Sequence, residues 1–118
     1  MKPLNVLGMD YGAGSGRAIA GKYDGNKLVL EEIHRFQHNP INIFAGSYLN
    51  IFNLFGELKN SLKKAKAADI KISAVGIDAW ASDFGLIDSQ GNLLGNPHYY
   101  RDNNKKSFNK SKCAVMRI

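Results

Sequence analysis

Asn5-Val6-Leu7-Gly8-Met9-Asp10-Tyr11-Gly12-Ala13-Gly14-Ser15-Gly16-Arg17 reads as a buried strand that ends on a carboxylate and runs into a glycine-laced turn. Glycine takes positive φ without steric cost and lets a ligand come close to backbone. Successive N–H groups in such a turn form an anion-binding concavity. Arg17 adds a charge-assisted contact for a phosphate oxygen, and Asp10 adds a carboxylate. That is the inventory for holding a magnesium-bound polyphosphate. The segment is not the GxGxxG of a dinucleotide fold, because that motif must open a helix, whereas Ala18-Ile19-Ala20-Gly21-Lys22-Tyr23 follows as a second strand. It is not a Walker A loop either, since no Gly-Lys-Ser/Thr follows.

Working outward, Asp24-Gly25-Asn26 signals a tight turn. Residues 27–36 read as a third strand, and residues 37–46, with Pro40 and Gly46, read as a loop. Neither connection among the three strands is long enough for a crossover helix, so they form an antiparallel meander. Ile51, Phe52, Phe55, Leu58, Leu62 and Ala65 recur at helical spacing and predict one apolar helix face, with Asn50 as N-cap. Lys59, Lys63, Lys64 and Lys66 complement the negative end of the helix dipole. Ile72 to Ala79 is nearly apolar on both faces, as befits a strand in mid-sheet with both faces covered. The preceding helix is a right-handed crossover that sets this strand parallel to the first. Phe84–Asp88 and Leu93-Leu94 flank Ser89-Gln90-Gly91-Asn92, a hairpin signal. The expected fold class is α/β, with the start of a ribonuclease-H-like or actin-like ATPase sheet. It comprises a three-strand meander, a crossover helix and a parallel central strand, and the lobe is incomplete.

The 118 residues, 44% apolar, fit one core. Residues 1–102 are expected to form a partial lobe and 103–118 a divergent basic tail. Residues 101–118 hold Arg101, Lys105, Lys106, Lys110, Lys112 and Arg117 against Asp102, supplying +5 of the formal +6. Basic tails bind phosphates non-specifically, but a charge run of this kind reads as a solvated segment, so no specific nucleic-acid partner is expected. No stretch of about 18 apolar residues exists, so no membrane span is expected. Cys113 cannot form an internal disulfide, and cytoplasm is the expected compartment.

Asp10 and Asp78 each close a strand, and ligands of open α/β sheets bind beyond the carboxyl ends of the strands. Two acids there suit a hydrated magnesium, which takes one or two protein carboxylates and keeps several waters; each Asp serves equally as a turn cap. Trp80 offers a flat apolar face to the C–H side of a sugar, and Asp83 accepts hydroxyl hydrogen bonds, though core packing accounts for Trp80 equally well. His34, His38 and His98 are isolated in sequence, without metal spacing, and read as surface or strand residues. Cys113 has no catalytic role.

Taken together, these residues resemble the N-terminus of the FGGY carbohydrate kinases, in the branch that phosphorylates L-rhamnulose. Met9 to Arg17 resembles the first phosphate motif, Glu31 to Phe36 the third strand, Val75 to Phe84 the motif Gly-Ile-Asp-Thr-Trp-Gly-Val-Asp-Phe, and Tyr100-Arg101-Asp102 the following Tyr-Arg-Asp. The resemblance implies an actin-like two-lobed fold, ATP and Mg2+ as cofactors, and a ketose resembling L-rhamnulose as substrate. Carried over by position, Asp10 helps place magnesium. Ala13, Gly14, Ser15, Gly16 and Arg17 contact ATP phosphates, and Trp80, Ala81 and Asp83 lie against the sugar. Three departures stand out. Ala81 replaces a substrate-contacting Gly, Leu49-Asn50 replaces Trp-Asp, and the likeness dissolves after Asp102. The family's catalytic Asp, second phosphate motif and adenosine pocket have no counterpart within these residues, so no catalytic residue is assigned and no turnover by the isolated chain is expected. Two other readings stay open: a magnesium-dependent ribonuclease-H-like nuclease using Asp10 and Asp78, and a non-catalytic module that binds nucleotide or associates through unfinished lobe surface.

Overall fold

The computed structural model describes residues 3–44 and 46–102, and the backbone of 115–117. The strands and helix are β1 (Leu4–Tyr11), β2 (Ser15–Tyr23), β3 (Leu28–Gln37), β4 (Ile41–Ile43), β5 (Gly46–Tyr48), α1 (Ile51–Ala67), β6 (Ala74–Ala79), β7 (Phe84–Leu86) and β8 (Val115–Arg117). They divide into two compact units. The first comprises Met1–His38 with Phe52–Ala79, the second Asn39–Ile51 with Trp80–Ile118.

The first unit holds a four-stranded sheet in the order β3-β2-β1-β6. The meander is antiparallel and β6 runs parallel to β1, the topology expected from the connection lengths. The β2–β3 turn is closed by Asp24, whose Oδ1 accepts the N–H groups of Asn26 (2.8 Å) and Lys27 (2.7 Å). Those bonds favour the ionised form and hold its pKa below the usual carboxylate value. Gly25 takes φ 102° there, which glycine does without cost.

Helix α1 lies on the face of the sheet that carries Leu7, Met9, Tyr11, Ala18 and Ala20. Its buried residues are Leu54, Ser61 and Ala65; of the stripe that spacing suggests, Ala65 is buried and Ile51, Leu58 and Leu62 are half-buried, while Phe52 and Phe55 depart from it. Both phenylalanines are exposed. Ala65 packs with Ala20 and Ile70, and Ile33 and Ile72 lie against them. Ser61 Oγ satisfies itself by donating to the Glu57 carbonyl. Tyr11 fixes the helix start by donating from its hydroxyl to the Leu54 carbonyl at 2.8 Å. Burial, with a lesser push from the Glu57 carboxylate, raises the pKa of that phenol. The helix stops at a left-handed Asp69 (φ 57°), with Ile70 N–H returning to the Ala65 carbonyl and Asp69 N–H to that of Lys66.

Strand β6 departs from expectation in one respect. Among the described residues it is the margin of the sheet, and Ala74 to Asp78 are exposed rather than covered on both faces. The helix is seated over β1–β3, which leaves β6 uncovered.

In the second unit, residues read as a loop contain β4, which pairs with β5 through Ile41↔Tyr48 to Ile43↔Gly46. Pro40 and Gly46 mask a three-residue strand whose Ile-Asn-Ile alternation is too short to stand out. The hairpin signal at 84–94 is met. Ile87 bridges Leu93, and Asp88 accepts the N–H groups of Gln90 and Asn92 around Gly91. β8, from the segment read as tail, pairs with β7. Asn104, Lys105, Lys106, Lys110, Lys112 and Cys113 lie outside the described residues. Among the described residues no helix is long and apolar enough to cross a membrane.

Candidate functional site

Asp10 and Asp78 are register partners at the carboxyl ends of β1 and β6, and partners in adjacent parallel strands share a face. Gly8 and Gly76 are also partners. The two acids and two glycines, with Met9, Ile19 and Ile77, line a concavity of about 360 Å³. Its floor is bare backbone: a Cβ on Gly76 would meet nothing within 4 Å, and one on Gly8 only the Ile19 carbonyl at 3.8 Å. Arg17, opposite Asp10 on β2, holds the carboxylate Oδ2 through a 2.6 Å bond. Both side chains are close to half exposed, so solvent screens the pair. The guanidinium expected to face a phosphate therefore rests on Asp10.

The turn itself is built differently from the sequence expectation. Positive φ occurs among the described glycines at Gly25 and Gly91, not at Gly12, Gly14 or Gly16. No left-handed residue lies in the turn, so it is not the alternating concavity of N–H groups that three glycines suggest. What Gly12 and Gly16 supply is room. A Cβ on Gly12 would stand 2.9 Å from the Ser15 carbonyl, and one on Gly16 only 2.2 Å from the Phe36 ring. Gly14 and Ser15 are exposed at the tip, Ala13 is half-buried, and Gly16 is buried.

His38, set aside in the sequence, braces this turn. It is buried, its N–H donates to the Gly14 carbonyl at 3.1 Å, and its Nε2 lies 2.7 Å from the Gly12 carbonyl. His34 is also engaged, with Nε2 2.6 Å from Glu57 Oε2 and Nδ1 2.9 Å from Lys64 Nζ. His98 Nδ1 lies 3.2 Å from Asp102 Oδ2. Isolation in sequence did not mean isolation in space. The one available signal for His38 was its place at the end of a strand that had to pair beside the glycine turn.

In the second unit, Trp80 Nε1 donates to Asp83 Oδ2 at 2.8 Å. Asp83 is 3% exposed, and its other oxygen, Oδ1, is buried without a hydrogen-bond partner among the described residues. A buried carboxylate left half-satisfied is costly, and such an exception calls for an explanation. Between the pair, Ala81 has φ 55°, a left-handed conformation costing an L-residue roughly 1–2 kcal/mol. Ala81→Gly is therefore expected to stabilise the chain. The relief outweighs the roughly 0.4–1 kcal/mol of extra unfolded freedom that glycine carries, leaving a net gain of about 0.5–1 kcal/mol. Urea unfolding checks this, and a lower midpoint for the glycine variant would contradict it.

No protein-family profile matches the chain. Curated relatives do. The rhamnulokinase of Bacteroides thetaiotaomicron is 39% identical over 98 residues, covering 83% of this chain and 20% of that protein. The rhamnulokinase of Mannheimia succiniciproducens is 34% identical over 104 residues, 86% of this chain and 22% of that one. That of Halalkalibacterium halodurans is 41% identical over 96 residues, 81% and 20%. The chain thus spans about a fifth of the length of the curated relatives it matches. Among solved structures, a gluconate kinase from Lactobacillus acidophilus superposes with TM-score 0.66 at 18% identity, covering 86% of this chain and 20% of that one. A ligand-bound xylulose kinase from the same organism gives 0.62 at 20% identity, covering 84% and 20%. At those identities the superpositions establish the fold alone: the mixed α/β arrangement of meander, helix and parallel strand is shared with part of each of those two kinases.

Proposed function

We propose that this chain, a rhamnulokinase-like segment of the FGGY carbohydrate kinase family, supplies metal, phosphate and sugar contacts for transfer of the ATP γ-phosphoryl group to the 1-hydroxyl of an L-rhamnulose-like ketose in the cytoplasm. The observation that carries it is the register pairing of Asp10 with Asp78 beside a glycine floor. The donor set fits Mg2+, which takes one or two carboxylates and keeps several waters; bound there, the ion would offset phosphate charge. Asp10 and Asp78 are the residues to hold it. Ala13, Gly14, Ser15 and Gly16 border the phosphates with backbone, and Arg17, beside Asp10, would offer its guanidinium to a phosphate oxygen.

Trp80 stacks on the sugar, Ala81 lies beside it, and the unpaired Oδ1 of Asp83 accepts a sugar hydroxyl. Phosphoryl transfer also needs a carboxylate to accept the hydroxyl proton, and we assign none here. The kinase contacts reside in 1–102, with 103–118 a basic tail outside them. The isolated chain accordingly binds without turning over. Calorimetry is expected to register ATP binding only with magnesium present, and to lose it in Asp10→Asn. L-rhamnulose phosphorylation should stay at the enzyme-free level. ATP binding that ignores both magnesium and Asp10, or clear turnover, would overturn the reading.

A further inference from the structure

Gly12 and Ser15 face each other across the β1–β2 hairpin, with Gly12 N–H donating to the Ser15 carbonyl at 2.8 Å. Opposed residues of this kind ordinarily exchange both bonds, so Ser15 N–H is due at the Gly12 carbonyl and would close the turn. That return bond is missing among the described residues. The Gly12 carbonyl is instead taken by the imidazole of His38, whose Nε2 lies 2.7 Å away. A carbonyl only accepts, so this nitrogen carries the ring proton.

The β2–β3 ladder does not take up the displaced donor. His38 N–H bonds the Gly14 carbonyl at 3.1 Å, which makes Ser15 and Gln37 a pair without mutual hydrogen bonds. Among the described residues no acceptor takes the N–H of Ala13 or of Ser15.

The direction of the Ala13 donor follows from the peptide plane. The His38 ring lies 6.5 Å from that of Phe36, which meets Tyr11, whose hydroxyl reaches α1. His38 is therefore on the helix side of the sheet and draws the Gly12 carbonyl that way. In a trans peptide the N–H points opposite to the C=O, so Ala13 N–H is turned to the other side. Asp10 and Arg17 precede and follow the helix-side pair Tyr11 and Gly16, and by strand alternation they face that same other side. The donor emerges where the carboxylate and the guanidinium are.

We infer that His38 is the positioning residue of this turn: by occupying the Gly12 carbonyl it holds the hairpin open and keeps the N–H groups of Ala13 and Ser15 for phosphate oxygens. It touches no ligand itself. The role deepens the phosphate reading proposed above and depends on it, and the test separates the two.

His38→Leu keeps the backbone N–H and the apolar bulk but removes the ring donor. His38→Gln restores an N–H at the same number of bonds from the backbone. In the free chain, without ATP or magnesium, Ser15 amide exchange should slow in His38→Leu as the turn closes on the vacated carbonyl, and return to the wild-type rate in His38→Gln. A brace that only stiffened the turn would give faster exchange on its loss. Calorimetry should show Mg-ATP binding weakened about tenfold in His38→Leu, the worth of one charge-assisted hydrogen bond, and recovered in His38→Gln. In the wild type, Mg-ATP should shift the amide resonances of Ala13 and Ser15 more than those of Gly12 and Gly16, a comparison that needs no variant to fold. A wild-type chain that fails to bind Mg-ATP would overturn the phosphate reading and this role together. Undiminished binding by His38→Leu, faster Ser15 exchange in that variant, or shifts confined to other residues would overturn the role of His38 alone.

Discussion

Gly16→Ala is expected to lower the stability of the first unit by about 3 kcal/mol, at the upper end of what overpacking a core costs. A Cβ built at this position stands 2.2, 2.7 and 2.9 Å from three atoms of the Phe36 ring. Contacts that short require one partner to move. The ring is poorly placed to do so. It meets Tyr11 edge-on at 5.8 Å and lies 5.5 Å from the His34 ring and 6.5 Å from that of His38. Gly16 is equally constrained, since it pairs with Tyr11 on one side and Phe36 on the other. Because domains of this size carry only about 5–15 kcal/mol in total, the variant should show a much lower urea midpoint at unchanged slope. Gly14→Ala serves as the control, because nothing lies within 4 Å of its Cβ. Adding Phe36→Leu to Gly16→Ala should recover part of the loss, a coupling expected only between touching residues. An unchanged midpoint in Gly16→Ala would show that the ring is not fixed.

This steric role was not legible in the chain. Three glycines in five residues suggested backbone freedom, and the turn uses none of it. Glycine spacing in sequence does not distinguish positive φ from lack of room, because the neighbour that needs the room, Phe36, is twenty residues away. The meander, by contrast, was legible, since connection lengths leave few ways to join three short strands. The parallel placement of β6 followed from the intervening helix. Its exposure did not, because a run apolar on both faces reports what the strand is suited to and not what covers it.

The helix shows the same division. Its existence and span followed from spacing, and its rotation followed in part, since Ala65 of the expected face is buried and Phe52 and Phe55 are not. Counting apolar side chains weights Phe52 and Phe55 heavily and Ser61 not at all. What is buried on the helix is Leu54, Ser61 and Ala65, with Ala65 against Ala20 of β2. At the site, Asp10 and Asp78 were legible as strand-ending acids. The bracing by His38 was not, and neither was the strain at Ala81, although replacement of a family glycine was a hint that φ there is left-handed.

Asp102→Ala should cost about 3 kcal/mol, whereas Asp83→Ala should cost under about 1 kcal/mol, although both side chains are almost fully buried in the same unit. Asp102 Oδ2 accepts the Ser47 N–H at 3.0 Å and faces His98 Nδ1 at 3.2 Å. It thereby ties β5 to the segment in which Tyr99 N–H donates to the Ser47 carbonyl and Leu49 N–H to that of Pro97. Hydrogen bonds to a charged group are worth about 1.5–3 kcal/mol each, and truncation leaves a half-buried backbone donor unpaired. Removing Asp83 costs the Trp80 bond but also takes away an orphaned buried oxygen, and the desolvation recovered offsets most of the loss. Urea unfolding of the two variants gives the difference directly. A gap of about 2 kcal/mol would mark Asp102 as the brace and Asp83 as a carboxylate kept at a cost to stability, as expected of a ligand-binding residue. Equal losses would make Asp83 a structural partner of Trp80 and withdraw its assignment to the sugar.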